Sequence, residues 1–177
     1  MTTTEFASIT EDALQELRDK IGEPVRRGRP FVTECSADAI RHYALGIGDR
    51  NPLWRTPNHD GHVLAPPSIL FAMDKILSGY VTGLPGIHAM FAGADLRFER
   101  PLHEGDRLTG TARLKALIER PSAFAGRSIQ QIYEVQFHDP HGALVATGDS
   151  YCFRTERDTA RDRGKYEQQE FTWTRDQ

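Results

Sequence analysis

Asp49 and Asn51 stand two residues apart in "GIGDRNPLW", a glycine- and proline-punctuated stretch from Gly46 to Trp54. A carboxylate on such a loop can hold or activate water. The same two side chains also suit a loop closed by Asx-type turns, each bonding backbone N–H groups, and the sequence leaves both roles open. His62, four residues before the Pro66–Pro67 pair, offers an imidazole that can face Asp49 as a base. A single loop histidine more commonly serves as a surface hydrogen-bonding residue. His59, in "NHDG", reads as part of an exposed turn, and His88 as a structural residue before an apolar strand. Trp54 brings an indole that donates only and has no accessible pKa, so it cannot shuttle a proton.

These residues need elements to position them. "TEDALQELRDK" (10–20) predicts an amphipathic helix with Leu14, Leu17 and Ile21 on one face and Glu11 and Asp12 at its positive end. "PFVTE" is a short strand candidate. Ser36 caps a second helix, in which Ile40, Tyr43, Ala44 and Ile47 recur at three- and four-residue spacing. Gly46 and Gly48 end it, and Asp49 to Gly61 must be loop. "PPSILFAMDKILSG" predicts a third helix, apolar over most of its circumference and therefore buried, with Pro in its first turn. Beyond Gly86 the periodicity turns to two. "MFAGADLRFE", "RLTGTARLKALIE", "IQQIYEVQFH" and "ALVATGDSYCF" read as antiparallel strands, the last two joined by a turn at "DPHG". On the second of these strands, Leu108, Gly110, Ala112, Leu114, Ala116 and Ile118 are expected on one face. Tyr133, Val135 and Phe137 share a face on the third. One buried helix followed by antiparallel strands predicts an α+β layer, a curved sheet wrapped around that helix.

The 177 residues suit one domain: 1–155 as its body with a helical lead-in, and 156–177 as a charged C-terminal arm. Apolar residues make up 38% and charged residues 27%, too apolar for a disordered chain. A net charge of −3, with no basic stripe interleaved with aromatics, argues against nucleic acid as a partner. No apolar run is long enough to span a bilayer, and the N-terminus lacks the features of a secretion signal, so a cytoplasmic location without membrane association is expected. Cys35 and Cys152 form neither a metal-type spacing nor a redox pair and are expected as reduced structural thiols. No metal cluster, phosphate loop or flavin motif is visible, and no cofactor is expected.

"YALGIGDRNPLW", "HVLAPPSILFAM" and "RFERPLHEGDRL" together resemble the MaoC-type acyl dehydratases and R-specific enoyl-CoA hydratases, over roughly residues 20 to 155. Tyr43, Gly48, Asp49, Asn51, Pro52 and Leu53 fit that family's signature. The second and third motifs are most similar to the N-terminal halves of double-hotdog dehydratases and to the substrate-holding subunit of heterodimeric (3R)-hydroxyacyl dehydratases. The resemblance implies a hotdog fold that pairs with a second hotdog, as a homodimer or with a partner subunit, the acyl chain running along the interface. It also implies a (3R)-hydroxyacyl or trans-2-enoyl thioester, on CoA or acyl carrier protein, as substrate, and water as co-reactant.

The resemblance likewise assigns the roles. Asp49 and Asn51 fall on the catalytic motif, but Trp54 occupies the position where the family places the histidine that shares the water with the aspartate. A positioned acid/base group is worth on the order of 10²–10⁴-fold in rate. Where the family offers a backbone N–H to the thioester oxygen, this chain has Ala65-Pro66-Pro67, and proline has no N–H. Losing one such donor costs about 10²–10³-fold. Ser68 or Ala65 offers the alternative donor. Tyr43, Pro66, Ser68 and Phe71 are expected along the substrate path, with Trp54 closing its mouth; Arg26 and Arg27, with Arg29, can meet the thioester's phosphates or form a solvated basic cluster before a strand. The leading expectation is a hydro-lyase subunit that holds substrate while a partner completes the catalytic pair. The alternatives are a stand-alone enzyme pairing Asp49 with His62, and a non-catalytic acyl-binding hotdog.

Overall fold

The computed structural model of the chain describes residues 8–26, 28–84, 87–122 and 126–156. Helix α1 (Glu11–Arg18) starts at Thr10, whose side chain accepts the Ala13 N–H at 3.2 Å, and buries Leu14 and Leu17. It stops a turn earlier than its apolar spacing predicts. Ile21 therefore lies in the following turn and is exposed rather than on the buried face. Helix α2 (Ala37–Gly46) is capped by Ser36 as expected and buries Ile40 and Ala44. Ile47 falls just past its end and stays exposed.

The apolar segment from Pro67 departs most from expectation. A 3-10 turn at Pro67–Ile69 leads into α3 (Leu70–Met73), and the helix ends at Asp74, whose backbone is extended. The Asp74 carboxylate explains the break. Oδ1 accepts the Ile76 N–H at 2.7 Å and the Leu77 N–H at 3.0 Å, substituting a side-chain acceptor for the helical carbonyls. A separate hydrogen-bonded turn then runs to Gly79, where the Gly79 N–H meets the Ile76 carbonyl. The expected burial does hold: Ile69, Leu70, Met73, Ile76 and Leu77 are all in the core.

Four antiparallel strands, β1 (His88–Phe98), β2 (Thr109–Glu119), β3 (Ser128–His138) and β4 (Leu144–Thr155), form one sheet in the order β1-β4-β3-β2. The turn at "DPHG" joins β3 to β4. Asp139 Oδ1 accepts the His141 and Ala143 N–H groups there, and Gly142 takes positive φ. Tyr133, Val135 and Phe137 are buried on one face of β3, as their alternation predicts. On β2 the alternation slips. Leu114 pairs with Tyr133 and Ala116 with Ile132, so Lys115 is an extra residue, and beyond this bulge Leu117 packs on the core. A second bulge at Ala92 interrupts β1, an edge strand whose residues from His88 to Ala92 are exposed. "PFVTE" forms no regular strand. Its backbone is dispersed instead: Phe31 and Val32 N–H both reach the Ala72 carbonyl, and Cys35 N–H reaches Asp106 at 2.8 Å.

The segment from Pro67 packs directly on the sheet. A Cβ at Gly148 of β4 would fall 2.6 Å from a Leu77 methyl, so only glycine permits this approach. Arg154 of β4, buried, ties the segment that follows to the sheet. Its guanidinium donates to the Gln131 side-chain oxygen at 2.5 Å and to the carbonyls of Val81, Thr82 and Ile87. Cys35 and Cys152 are both free thiols in the core. Burial, with Asp106 nearby, pushes the Cys35 pKa up to about 12. Among the described residues no helix is long and apolar enough to cross a membrane. The expected C-terminal arm lies outside the described residues except for Glu156.

Candidate active site

The loop after α2 is built by its own side chains. Asp49 Oδ1 accepts the Asn51 N–H at 2.9 Å, and Asn51 Oδ1 accepts the Leu53 N–H at 3.1 Å. These consecutive Asx turns launch the 3-10 turn Pro52–Trp54, with Asn51 as its cap and Pro52 preset for its first position. The structural role that the sequence left open for Asp49 and Asn51 is therefore present. It consumes only one carboxylate oxygen in the bonds formed, and Asp49 is half-exposed.

Trp54 closes the same turn and places its indole N–H toward the Asp49 carboxylate. The Asn51 N–H foremost, and the Trp54 N–H next, hold the Asp49 pKa below the ordinary carboxylate value, against a small opposing effect of burial. The indole N–H nevertheless falls short of hydrogen-bond geometry: Trp54 Nε1 is buried and has no partner. The indole thus faces the carboxylate without a formed hydrogen bond to it.

The ring of Trp54 forms one wall of an apolar cleft of about 380 Å³, lined also by Leu64, Ala65, Pro67, Phe98 and Leu102, with Glu99, Arg100 and Pro101 at its border. Two ties fix this wall. Leu64 N–H reaches the Leu53 carbonyl at 3.3 Å, and Ala65 N–H reaches the Leu102 carbonyl at 2.8 Å. The second settles one of the two alternative backbone donors, since the Ala65 N–H is already spent. Pro66 and Pro67 have none to give. The Ser68 N–H is the first backbone donor after the prolines and meets no acceptor among the described residues. Tyr43 fixes its position, donating its hydroxyl to the Ser68 carbonyl at 2.6 Å and so linking α2 to the start of the central segment.

The other candidates lie apart. His62 is exposed, its N–H bonded to Asn58 Oδ1 and its ring tilted against that of His103 with centroids 5.1 Å apart. Among the described residues no hydrogen bond or ion pair joins His62 to Asp49. Pro66 is buried beside the cleft rather than on its surface, and Phe71 meets Phe91 edge to face at 6.2 Å. Arg26 borders a different, smaller cleft with Leu17, Thr82 and Tyr133. Arg27 lies outside the described residues. Arg100, which sequence reasoning missed, borders the Trp54 cleft and grips Asp106 with two bonds of 2.7 and 2.9 Å. Its signal was the six-residue spacing to an acidic turn residue in "RPLHEGD". Among the described residues no group of three metal-capable side chains converges.

Residues 20–148 match the family described as FAS1-like, dehydratase domain region. A UPF0336 protein of Streptomyces griseus is 31% identical over 124 residues, 64% of this chain and 79% of that protein. The ChsH1-ChsH2 complex from Mycobacterium tuberculosis superposes with a TM-score of 0.61 at 16% identity, over 82% of this chain and 90% of that one. The C-terminally truncated HadBC (3R-hydroxyacyl-ACP dehydratase) complex of the same organism gives 0.52 at 13% identity, over 68% and 88%. These structural likenesses show a hotdog-like α+β fold with an antiparallel sheet and helices, without showing the sheet closed around one continuous central helix. With most of its length matched, this chain belongs to the family of FAS1-like dehydratase domain regions.

Proposed function

We propose that the protein is a hydro-lyase subunit for (3R)-hydroxyacyl or trans-2-enoyl thioesters, on CoA or acyl carrier protein, in fatty acid or polyketide metabolism in the cytoplasm. It holds the acyl chain while a partner hotdog supplies the working acid/base pair. The observation that carries this reading is Trp54. A donor-only indole faces the Asp49 carboxylate where the resemblance implies an imidazole, while the apolar cleft beside it is intact.

Dehydration needs one group to move a proton between water and carbon and another to stabilise the enolate-like oxygen. Asp49, ionised at neutral pH, can accept a hydrogen bond but has no relay partner among the described residues. Ser68 N–H, held by Tyr43, is the donor this half can offer to a thioester oxygen. The placement of His62 against His103 favours this subunit role over a lone enzyme pairing Asp49 with His62. That ChsH1-ChsH2 and HadBC are both complexes supports a heteromeric assembly here. Partnership also accounts for β1, whose exposed edge and apolar residues Met90 and Phe91 suit cover by another chain.

The test is hydration of crotonyl-CoA by the chain alone and after co-expression with a hotdog protein carrying an intact Gly-Asp-x-Asn-Pro-x-His motif. Activity should rise by at least about 10²-fold in the mixed assembly, the contribution of one acid/base group. Full turnover by the chain alone would overturn the subunit role.

A further inference from the structure

The rings of His62 and His103, with centroids 5.1 Å apart, are brought together by two closely bonded turns. Asn58 builds the first. Its Oδ1 accepts the Asp60 N–H at 3.0 Å and the His62 N–H at 2.9 Å, and its own N–H meets the His62 carbonyl at 2.8 Å. Asp106 builds the second, accepting the His103 N–H at 2.8 Å while its own N–H returns to the His103 carbonyl at 3.1 Å. A bridge between Leu64 and His103 joins the turns, beside the Glu104 N–H on the Val63 carbonyl at 2.9 Å. Both imidazoles are thus mounted on backbone that is already fixed.

Neither ring is spent on a protein partner. Among the described residues no hydrogen bond or ion pair reaches a ring nitrogen of His62 or His103, and His62 is exposed. A neutral imidazole keeps one nitrogen lone pair, the commonest metal donor in proteins. Two imidazoles on one tetrahedral zinc ion, with Zn–N bonds of about 2.0–2.1 Å, have ring centroids roughly 5 Å apart. The observed separation meets that requirement, leaving only rotation about side-chain bonds to aim the nitrogens. Charge also favours a cation here. Asp60, Glu104 and Asp106 place carboxylates on the two turns, and Arg100 beside them is gripped by Asp106.

We propose that His62 and His103 together bind a first-row divalent cation of the zinc class, with water completing its coordination. Two protein ligands suffice for such a site, in keeping with the lack of any three-residue group among the described residues. Imidazole suits zinc, copper and nickel, whereas magnesium and calcium prefer oxygen ligands. Leu64 and Ala65 follow His62, Pro101 and Leu102 precede His103, and all four line or border the Trp54 cleft. A shared ion therefore staples two walls of that cleft, as a clamp on its shape rather than a participant in the reaction. This inference stands independently of the acyl-thioester reading.

The experiment titrates zinc chloride into the untagged full chain by calorimetry, for wild type, His62→Ala, His103→Ala and His62→Cys. Wild type should bind one zinc ion per chain. Either alanine variant should weaken binding at least about tenfold, since even losing a residue that merely supports a metal ligand costs about 10–100-fold. Cysteine supplies a thiolate ligand, so His62→Cys should retain zinc, which a purely structural role for the ring would not produce. Magnesium chloride should not displace the zinc, and displacement would overturn imidazole ligation. Amide spectra of the wild-type protein give a readout that does not depend on any variant folding. Zinc should shift the signals of residues 62–64 and 103–104, and should slow hydrogen exchange at Ala65, whose N–H crosses to the Leu102 carbonyl. No zinc binding by wild type, equal binding by both alanine variants, or amide shifts confined to other segments would each overturn the site.

Discussion

The Tyr43 hydroxyl lies 2.6 Å from the Ser68 carbonyl oxygen, joining the second helix to the turn that opens the central apolar segment. The bond crosses 25 residues of chain and anchors the carbonyl of Ser68, the residue whose own N–H is the first after two prolines. Tyr43→Phe should lower stability by about 0.5–1.5 kcal/mol, the net value of one such bond, measured by urea denaturation. If Ser68 N–H binds the thioester oxygen, the same variant should lower kcat of the mixed assembly more than it raises KM.

Asp74 should be more consequential. Its buried carboxylate accepts two backbone N–H groups, and Asp74→Ala would leave both without that acceptor in the core. The expected loss is about 2–4 kcal/mol, read from the denaturation midpoint. Asp74→Asn retains an oxygen at the same position and should recover a large part of it.

Gly148 and Leu77 should show strong coupling. Gly148→Ala drives a methyl against Leu77 and toward Leu96, and should cost about 1–3 kcal/mol by overpacking. Leu77→Ala alone should cost about 2–5 kcal/mol by opening a cavity. The double variant should be more stable than the sum of the two losses predicts, because the new methyl partly fills the space vacated. Strict additivity in a double-mutant cycle would refute the contact.

Acid should weaken the border of the cleft through Asp106. Burial pushes this carboxyl up, but hydrogen bonds from Arg100 and from the His103 N–H, with the charge of Arg100, outweigh it and leave the pKa below the ordinary carboxylate value. A carboxyl depressed in the folded state contributes stability that is present above its unfolded pKa of about 3.9 and lost as pH falls through the folded value. Stability measured between about pH 5 and pH 2 should therefore fall less steeply in Asp106→Asn than in wild type, and the variant should be the less stable at neutral pH.

Much of the fold was legible because its signals are local. Thr10 and Ser36 cap their helices where a short hydroxyl precedes an apolar period, and the alternation of Tyr133, Val135 and Phe137 survives intact in β3. What failed depends on details that periodicity does not carry. Lys115 adds one residue to β2 and moves Leu117 to the core, because a bulge shifts phase without changing composition. The apolar pattern from Ile69 to Leu77 continues straight through Asp74, so it predicts burial correctly and helix length wrongly. In the site, the Asx turns of Asp49 and Asn51 follow from residue type and spacing. That Trp54 faces Asp49 while His62 packs on His103 follows from how the loop folds back between Leu53 and Leu64, a contact eleven residues apart that no short motif encodes.

The knot around Arg154 has a bearing on how the molecule comes apart. Every oxygen its guanidinium reaches belongs to an amide, three from the main chain and one from Gln131, and none gains or loses a proton in acid. The carbonyls of Val81, Thr82 and Ile87 are thereby fastened to β4 by bonds indifferent to acidity, whereas the Arg100–Asp106 clasp is not. Acid exposure should thus release the cleft's border first and leave Val81, Thr82 and Ile87 seated on β4, an order of events that amide hydrogen exchange at falling pH would record residue by residue.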